Sequence, residues 1–129
     1  MDEPMNLVLF SGTDDKLQAA AILAAGAAAL GKPVNVFLQY WALDAFRAER
    51  IGSDHGLAPE AGAEGRGHVD ALRRAGQASW AETLRQAKDL GGVDIQACSL
   101  SMDLLGIDEG DLDPLVDRSE ERRVGKECA

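Results

Sequence analysis

The order of apolar and polar positions reads as alternating strands and helices. Residues 6–10, Asn-Leu-Val-Leu-Phe, form a short apolar run that stops at Ser11-Gly12-Thr13. Such a run predicts a strand buried on both faces, as in parallel sheets. Over 14–30 the period changes to helical: Leu17, Ala20, Ala21, Ala24, Ala27 and Ala28 fall on one face. Ile22, Leu23 and Ala25 occupy much of the remainder, which predicts a helix buried on more than one side. Thr13 or Asp14 can cap it, Asp14 and Asp15 suit the positive end of its dipole, and Gly31 followed by Pro33 stops it. Residues 34–38, Val-Asn-Val-Phe-Leu, read as a second strand, closing a βαβ unit.

Beyond it the pattern predicts a short amphipathic helix over 42–50 and helices over 69–75 and 79–90. A third strand follows over 93–97, after Gly91-Gly92. Residues 51–67 are rich in Gly, Ala and Glu without a period and predict a flexible loop. Cys98 ends the third strand. The residues after it read as a helix start, with Ser99 or Ser101 as cap and Asp103 in the first turn. Met102, Leu104, Leu105 and Ile107 are assigned to the core. The succession predicts an α/β fold: one domain over 1–117, a parallel sheet flanked by helices.

Composition narrows the function. At 129 residues and a net charge of −9 the chain suits a single domain. It lacks the basic face that binding nucleic acid requires. The acidic clusters Asp14-Asp15 and 108–113 are read as solvated helix starts, without the spacing of a calcium loop. His55 and His68, with no cysteine or carboxylate at ligand spacing, are read as loop histidines, so no metal is expected. The longest apolar stretch, 17–30, contains Gln18 and Gly26 and is too short for a membrane span. The acidic start is unlike a signal peptide, and the expected location is cytoplasmic. No P-loop, G-x-G-x-x-G or G-x-S-x-G occurs.

The last residues stand apart. Residues 118–128, Arg-Ser-Glu-Glu-Arg-Arg-Val-Gly-Lys-Glu-Cys, are polar and aperiodic. They back-translate into a string that looks like a common sequencing-library adapter. Residues 118–129 are therefore expected to be a non-native tail, and the natural chain is expected to continue differently beyond Asp117. Setting the tail aside removes Cys128 and leaves Cys98 as the sole thiol of the body.

In an open parallel sheet, ligands sit beyond the carboxyl ends of the strands. Three such ends should converge here: Ser11-Gly12-Thr13, Gln39-Tyr40-Trp41, and Cys98-Ser99. Unpaired N–H groups at a helix start favour a thiolate, the nucleophilic form of cysteine. The residues alone leave two readings of Cys98 open, a reactive thiol or a packed core thiol. Tyr40 and Trp41 either line a pocket or pack.

The stretch "NLVLFSGTDDKLQAAAILAAGAAALGKPVNVFLQYWAL" followed by "IQACSLSMDLLGI" resembles the DsrE/DsrF-like sulfur-relay family, in the branch often labelled DsrE-like or peroxiredoxin-family proteins. The resemblance spans 6–117, leaves 51–67 without a clear match, and has Leu100 where the family often has Met. It implies a parallel α/β fold whose final strand should follow Asp117, so that strand is expected to be missing. It also implies homo- or hetero-oligomers, often trimers or hexamers, with a homo-oligomer expected here, and a cysteine, here Cys98, that carries persulfide sulfur between donor and acceptor proteins without a cofactor. Ser11, Gly12, Thr13, Tyr40, Trp41, Ser99 and Ser101 would surround that thiol. The alternatives are a thiol redox sensor or small-ligand regulatory module, and a structural subunit with an inert cysteine.

Overall fold

The computed structural model describes residues 3–119. Three strands, β1 (Met5–Leu9), β2 (Val34–Leu38) and β3 (Val93–Ala97), lie side by side and parallel. Met5 pairs with Val34 and Val34 with Val93, so the strands run in step. Their carboxyl ends reach one edge together, as the sequence predicts. Arg118 and Ser119, the first residues of the stretch set apart as a tail, pair with Gln96 and Ala97 as a two-residue strand, β4. The sheet therefore has four strands, in the order β1-β2-β3-β4, where the chain reads as three. Residues 120–129, with Cys128, lie outside the described residues.

Two long helices pack on each other and supply the core: α1 (Asp14–Ala29) and α4 (Trp80–Leu90). On α1 the residues expected to face inward, Leu17, Ala20, Ala21, Ala24, Ala27 and Ala28, are all buried. Small side chains there let α1 approach α4 and the sheet closely. Val34, Val36, Leu38, Val93, Ile95 and Ala97 alternate along β2 and β3 and complete the same core.

Two burial expectations fail for one reason. Ile22 and Leu23 are 54% and 52% exposed, so α1 is buried on one side only. The strands likewise bury one face, and Val8 on the other is 64% exposed. Among the described residues the sheet carries its long helices as a single layer, which leaves part of its second face and the outer side of α1 exposed. On that bare face the Asn35 side-chain amide donates to the Asn6 side-chain oxygen across β1 and β2 at 3.0 Å.

The remaining helices are short. The first, α2 (Tyr40–Ala45), starts and ends earlier than the 42–50 expected. Its extension is lost to backbone pairing: Asp113 N–H donates to Phe46 O, Ala48 N–H to Asp111 O, and Arg47 bridges to Leu112. These bonds draw 46–48 out of helical geometry. Next come α3 (Gly65–Arg74) and α5 (Ser99–Leu105), the latter packing against α2. Of the four residues assigned to the core around α5, Met102 and Ile107 are buried and Leu105 is half-buried, whereas Leu104 is exposed.

The segment read as a flexible loop is tied to the start of α1. Asp14 N–H donates to Gly56 O, His55 N–H to Asp14 Oδ2 at 3.1 Å, and Ala58 N–H to the Asp15 carboxylate. Its last residues, 65–67, belong to α3. Among the described residues no helix is long and apolar enough to cross a membrane, and no cluster of His, Cys, Asp and Glu could hold a metal ion.

Candidate functional site

Cys98 follows β3 directly, and its neighbours fix it through the backbone. Its N–H donates to Leu38 O of β2 at 3.0 Å, and its carbonyl accepts from Met102 N–H at 3.0 Å. The residue sits in extended geometry at the N-cap of α5, and its Sγ accepts the Ser101 N–H at 3.4 Å. The chain turns immediately into α5, so the thiol is covered and only 6% exposed.

Ser101 connects this thiol to the end of β2. It is fully buried, and its Oγ accepts the Tyr40 N–H at 3.1 Å. Tyr40 has φ = 46°, the one non-glycine in the left-handed region among the described residues. A side chain there costs roughly 1 kcal/mol. The Ser101 bond and the ring contact with Phe10, at 4.9 Å between centroids, hold it in place. Cys98, Ser101 and Tyr40 thus form one hydrogen-bonded series across the ends of β3 and β2.

The other expected site residues divide between two cavities. Ser11, Gly12, Thr13 and Trp41 line one of about 280 Å3, together with Arg50 and His55. Ser99 lines a second of about 200 Å3, with Met102, Asp103 and Glu109. Cys98, Tyr40 and Ser101 line neither. Of the two aromatic residues left open by the sequence, Trp41 therefore lines a pocket and Tyr40 packs. Gly12 is required by a close approach, because a Cβ on it would overlap the Trp41 carbonyl oxygen. Thr13 occupies the N-cap of α1 without making a cap bond; its hydroxyl lies 3.3 Å from that of Ser11 and also bonds Asp15. Burial pushes the Asp15 carboxyl up, yet hydrogen bonds from Thr13 and from the Ala58 and Lys16 N–H groups hold it below its ordinary value.

Asp14 corrects the reading of a solvated helix start. It is 5% exposed. Oδ1 accepts the Trp80 indole N–H at 3.0 Å, and Oδ2 accepts the His55 N–H. The Arg66 and Arg73 guanidinium groups lie 3.7 and 3.6 Å from Oδ2. The partners come from α3, α4 and the loop, up to 66 residues away. Only the apolar context of Trp80 in an otherwise polar stretch hinted at a buried partner.

The DsrE/DsrF/DrsH-like family matches residues 1–62 of this chain. An uncharacterized protein of Bacillus subtilis (strain 168), YrkE, is 31% identical in an alignment 127 positions long, gaps included, that covers 82% of this chain and 79% of YrkE. Among solved structures, MTH1491 of Methanobacterium thermoautotrophicum, a protein of unknown function, aligns with a TM-score of 0.49 and 17% identity. That alignment covers 98% of this chain and 89% of the other.

Proposed function

We propose, on the premise that the chain belongs to the DsrE/DsrF/DrsH-like family, that it is a sulfur-relay protein carrying persulfide sulfur on Cys98. The observation that carries this reading is the placement of Cys98 at the carboxyl end of β3 with the Ser101 N–H on its sulfur. A thiolate accepts that bond more strongly than a thiol does, and the thiolate is the nucleophile. In the first step Cys98 Sγ attacks the outer sulfur of a donor persulfide. A new S–S bond forms, the donor S–S bond breaks, and the donor leaves as a thiolate. An acceptor thiolate then attacks the outer sulfur on Cys98 and regenerates the Cys98 thiolate. The exchange needs no cofactor and no external oxidant.

Burial of the thiol requires that α5 open for each exchange. This seven-residue helix, with Leu100 and Leu104 exposed on it, is the element to move. The donor and acceptor are proteins that meet the strand-end edge, and the working form is a homo-oligomer of the trimer or hexamer kind, associated through the bare face of the sheet. The same burial favours a second reading, in which Cys98 is an inert core thiol of a structural subunit.

Peptide-resolved mass spectrometry after mild loading with a sulfane-sulfur donor separates them. A gain of one sulfur on the Cys98 peptide, absent in Cys98→Ser, supports relay. Oxygen adducts without sulfur indicate a redox sensor instead. An unmodified Cys98 peptide under conditions that load a free thiol assigns the residue to the core.

A further inference from the structure

A second site lies away from Cys98, between α3 and the α1–α4 pair. Helix α3 buries only Gly65 and is attached through charge, by Arg66 to Asp14 and Asp54 and by Arg73 to Asp14. Where its apolar side faces α4, a cavity of about 200 Å3 remains. Val69, Leu72, Ala78 and the Trp80 ring supply apolar wall. The indole is held in one orientation by its bond to Asp14. At about 30 Å3 per water the space equals roughly seven waters, or a ligand of about ten non-hydrogen atoms.

The polar groups at this cavity are unevenly committed. Asp14 accepts from Trp80 and His55, and Asp15 accepts from Ala58 and Lys16, so their acceptor capacity is turned toward the protein. Donor capacity is left over. Arg73, with its side chain 47% exposed, forms an ion pair with Asp14 at 3.6 Å, but its guanidinium makes no hydrogen bond among the described residues. Arg73 also lines a larger groove of about 730 Å3 beside the cavity, so its guanidinium is reachable from solvent.

We infer that this cavity binds a small amphipathic acid. Its apolar body lies against Val69, Leu72 and Trp80, and its carboxylate accepts a paired hydrogen bond from Arg73. A planar guanidinium matches a carboxylate in two parallel bonds, which a neutral head group does not reproduce. The site is independent of the Cys98 chemistry, and binding reports on it whatever that thiol does.

Calorimetric titration with 3-phenylpropionate and its neutral analogue 3-phenylpropanamide tests the inference on the full chain. The acid should bind at least about tenfold tighter than the amide, the effect of one hydrogen bond to a charged group. Arg73→Gln should erase that preference and leave the weak amide binding unchanged. Leu72→Glu should abolish binding of both. Arg73 is exposed, so its variant should fold, and a thermal melt checks this. If Arg73→Gln does not fold, Arg73→Lys, expected to weaken the preference, decides. Absence of binding, equal affinity for acid and amide, a preference that survives at Arg73→Gln, or one that is undiminished at Arg73→Lys would each overturn the inference.

Discussion

Replacing Asp14 by alanine strands two donors, the Trp80 indole N–H and the His55 N–H, and removes the charge that faces the Arg66 and Arg73 guanidinium groups. A buried donor left without an acceptor costs about 1–3 kcal/mol. Arg66 and Arg73 are partly exposed and recover water, so the expected loss for Asp14→Ala is about 2–4 kcal/mol in urea unfolding, with a red shift of Trp80 emission. Unfolding within 0.5 kcal/mol of the parent protein would mean that the carboxylate is not the hub described. Gly12→Ala acts by overlap instead. The new methyl meets backbone, the Trp41 carbonyl, which cannot swing aside as a side chain can. The expected penalty is about 1–3 kcal/mol, with the melting temperature as readout. Cys98→Ser differs from both, because a hydroxyl can keep the Ser101 N–H bond. Sulfur loading should vanish while the far-UV circular dichroism spectrum stays the same.

At the scale of elements, the attachment of the 51–64 loop to α1 is electrostatic and therefore titrates. Asp15 is held low despite its burial by the donors that surround it. Asp54 is held low chiefly by the Gly56 N–H, with Arg66 reinforcing it against burial. A carboxyl whose value is depressed in the folded state adds stability that is complete above its unfolded value, about 3.9. That stability is lost as pH falls through the depressed value. Below about pH 4 the loop should therefore loosen from α1. Amide exchange over 51–64, corrected for intrinsic pH dependence, should rise there before exchange in α1 and α4. Asp15→Asn combined with Asp54→Asn should flatten that dependence. Exchange that rises in all elements together would show that the loop is not separately anchored.

Among the described residues the long helices α1 and α4 clothe the sheet on one side. Parallel sheets are ordinarily covered on both faces, yet here Asn6, Val8 and Asn35 are exposed and Phe37 is half-buried. Together they form a mixed surface that a second copy can cover. If association uses this face, Val8→Asp should bury a charge in the contact and shift sedimentation velocity toward the monomer, weakening association at least about tenfold. A Val8→Asp protein that sediments like its parent at equal concentration would move the contact elsewhere.

Legible in the chain alone were the strands at 34–38 and 93–97, the buried stripe of α1, the strand-end position of Cys98 and the family resemblance. Each rests on short-range periodicity or on adjacent residues, which the chain carries explicitly. The resemblance correctly implied the parallel α/β sheet. Tertiary structure decided what depends on distant partners. Backbone bonds from 111–113 cut α2 short, and among the described residues no second helical layer arrives to cover Val8, Ile22 and Leu23. Trp80, 66 residues away, turned Asp14 from a solvated helix start into a buried hub, and α5 closed over Cys98. Periodicity shows that a face is apolar but not whether another element arrives to cover it. A carboxylate likewise does not announce, in sequence, which donors the fold will bring to it.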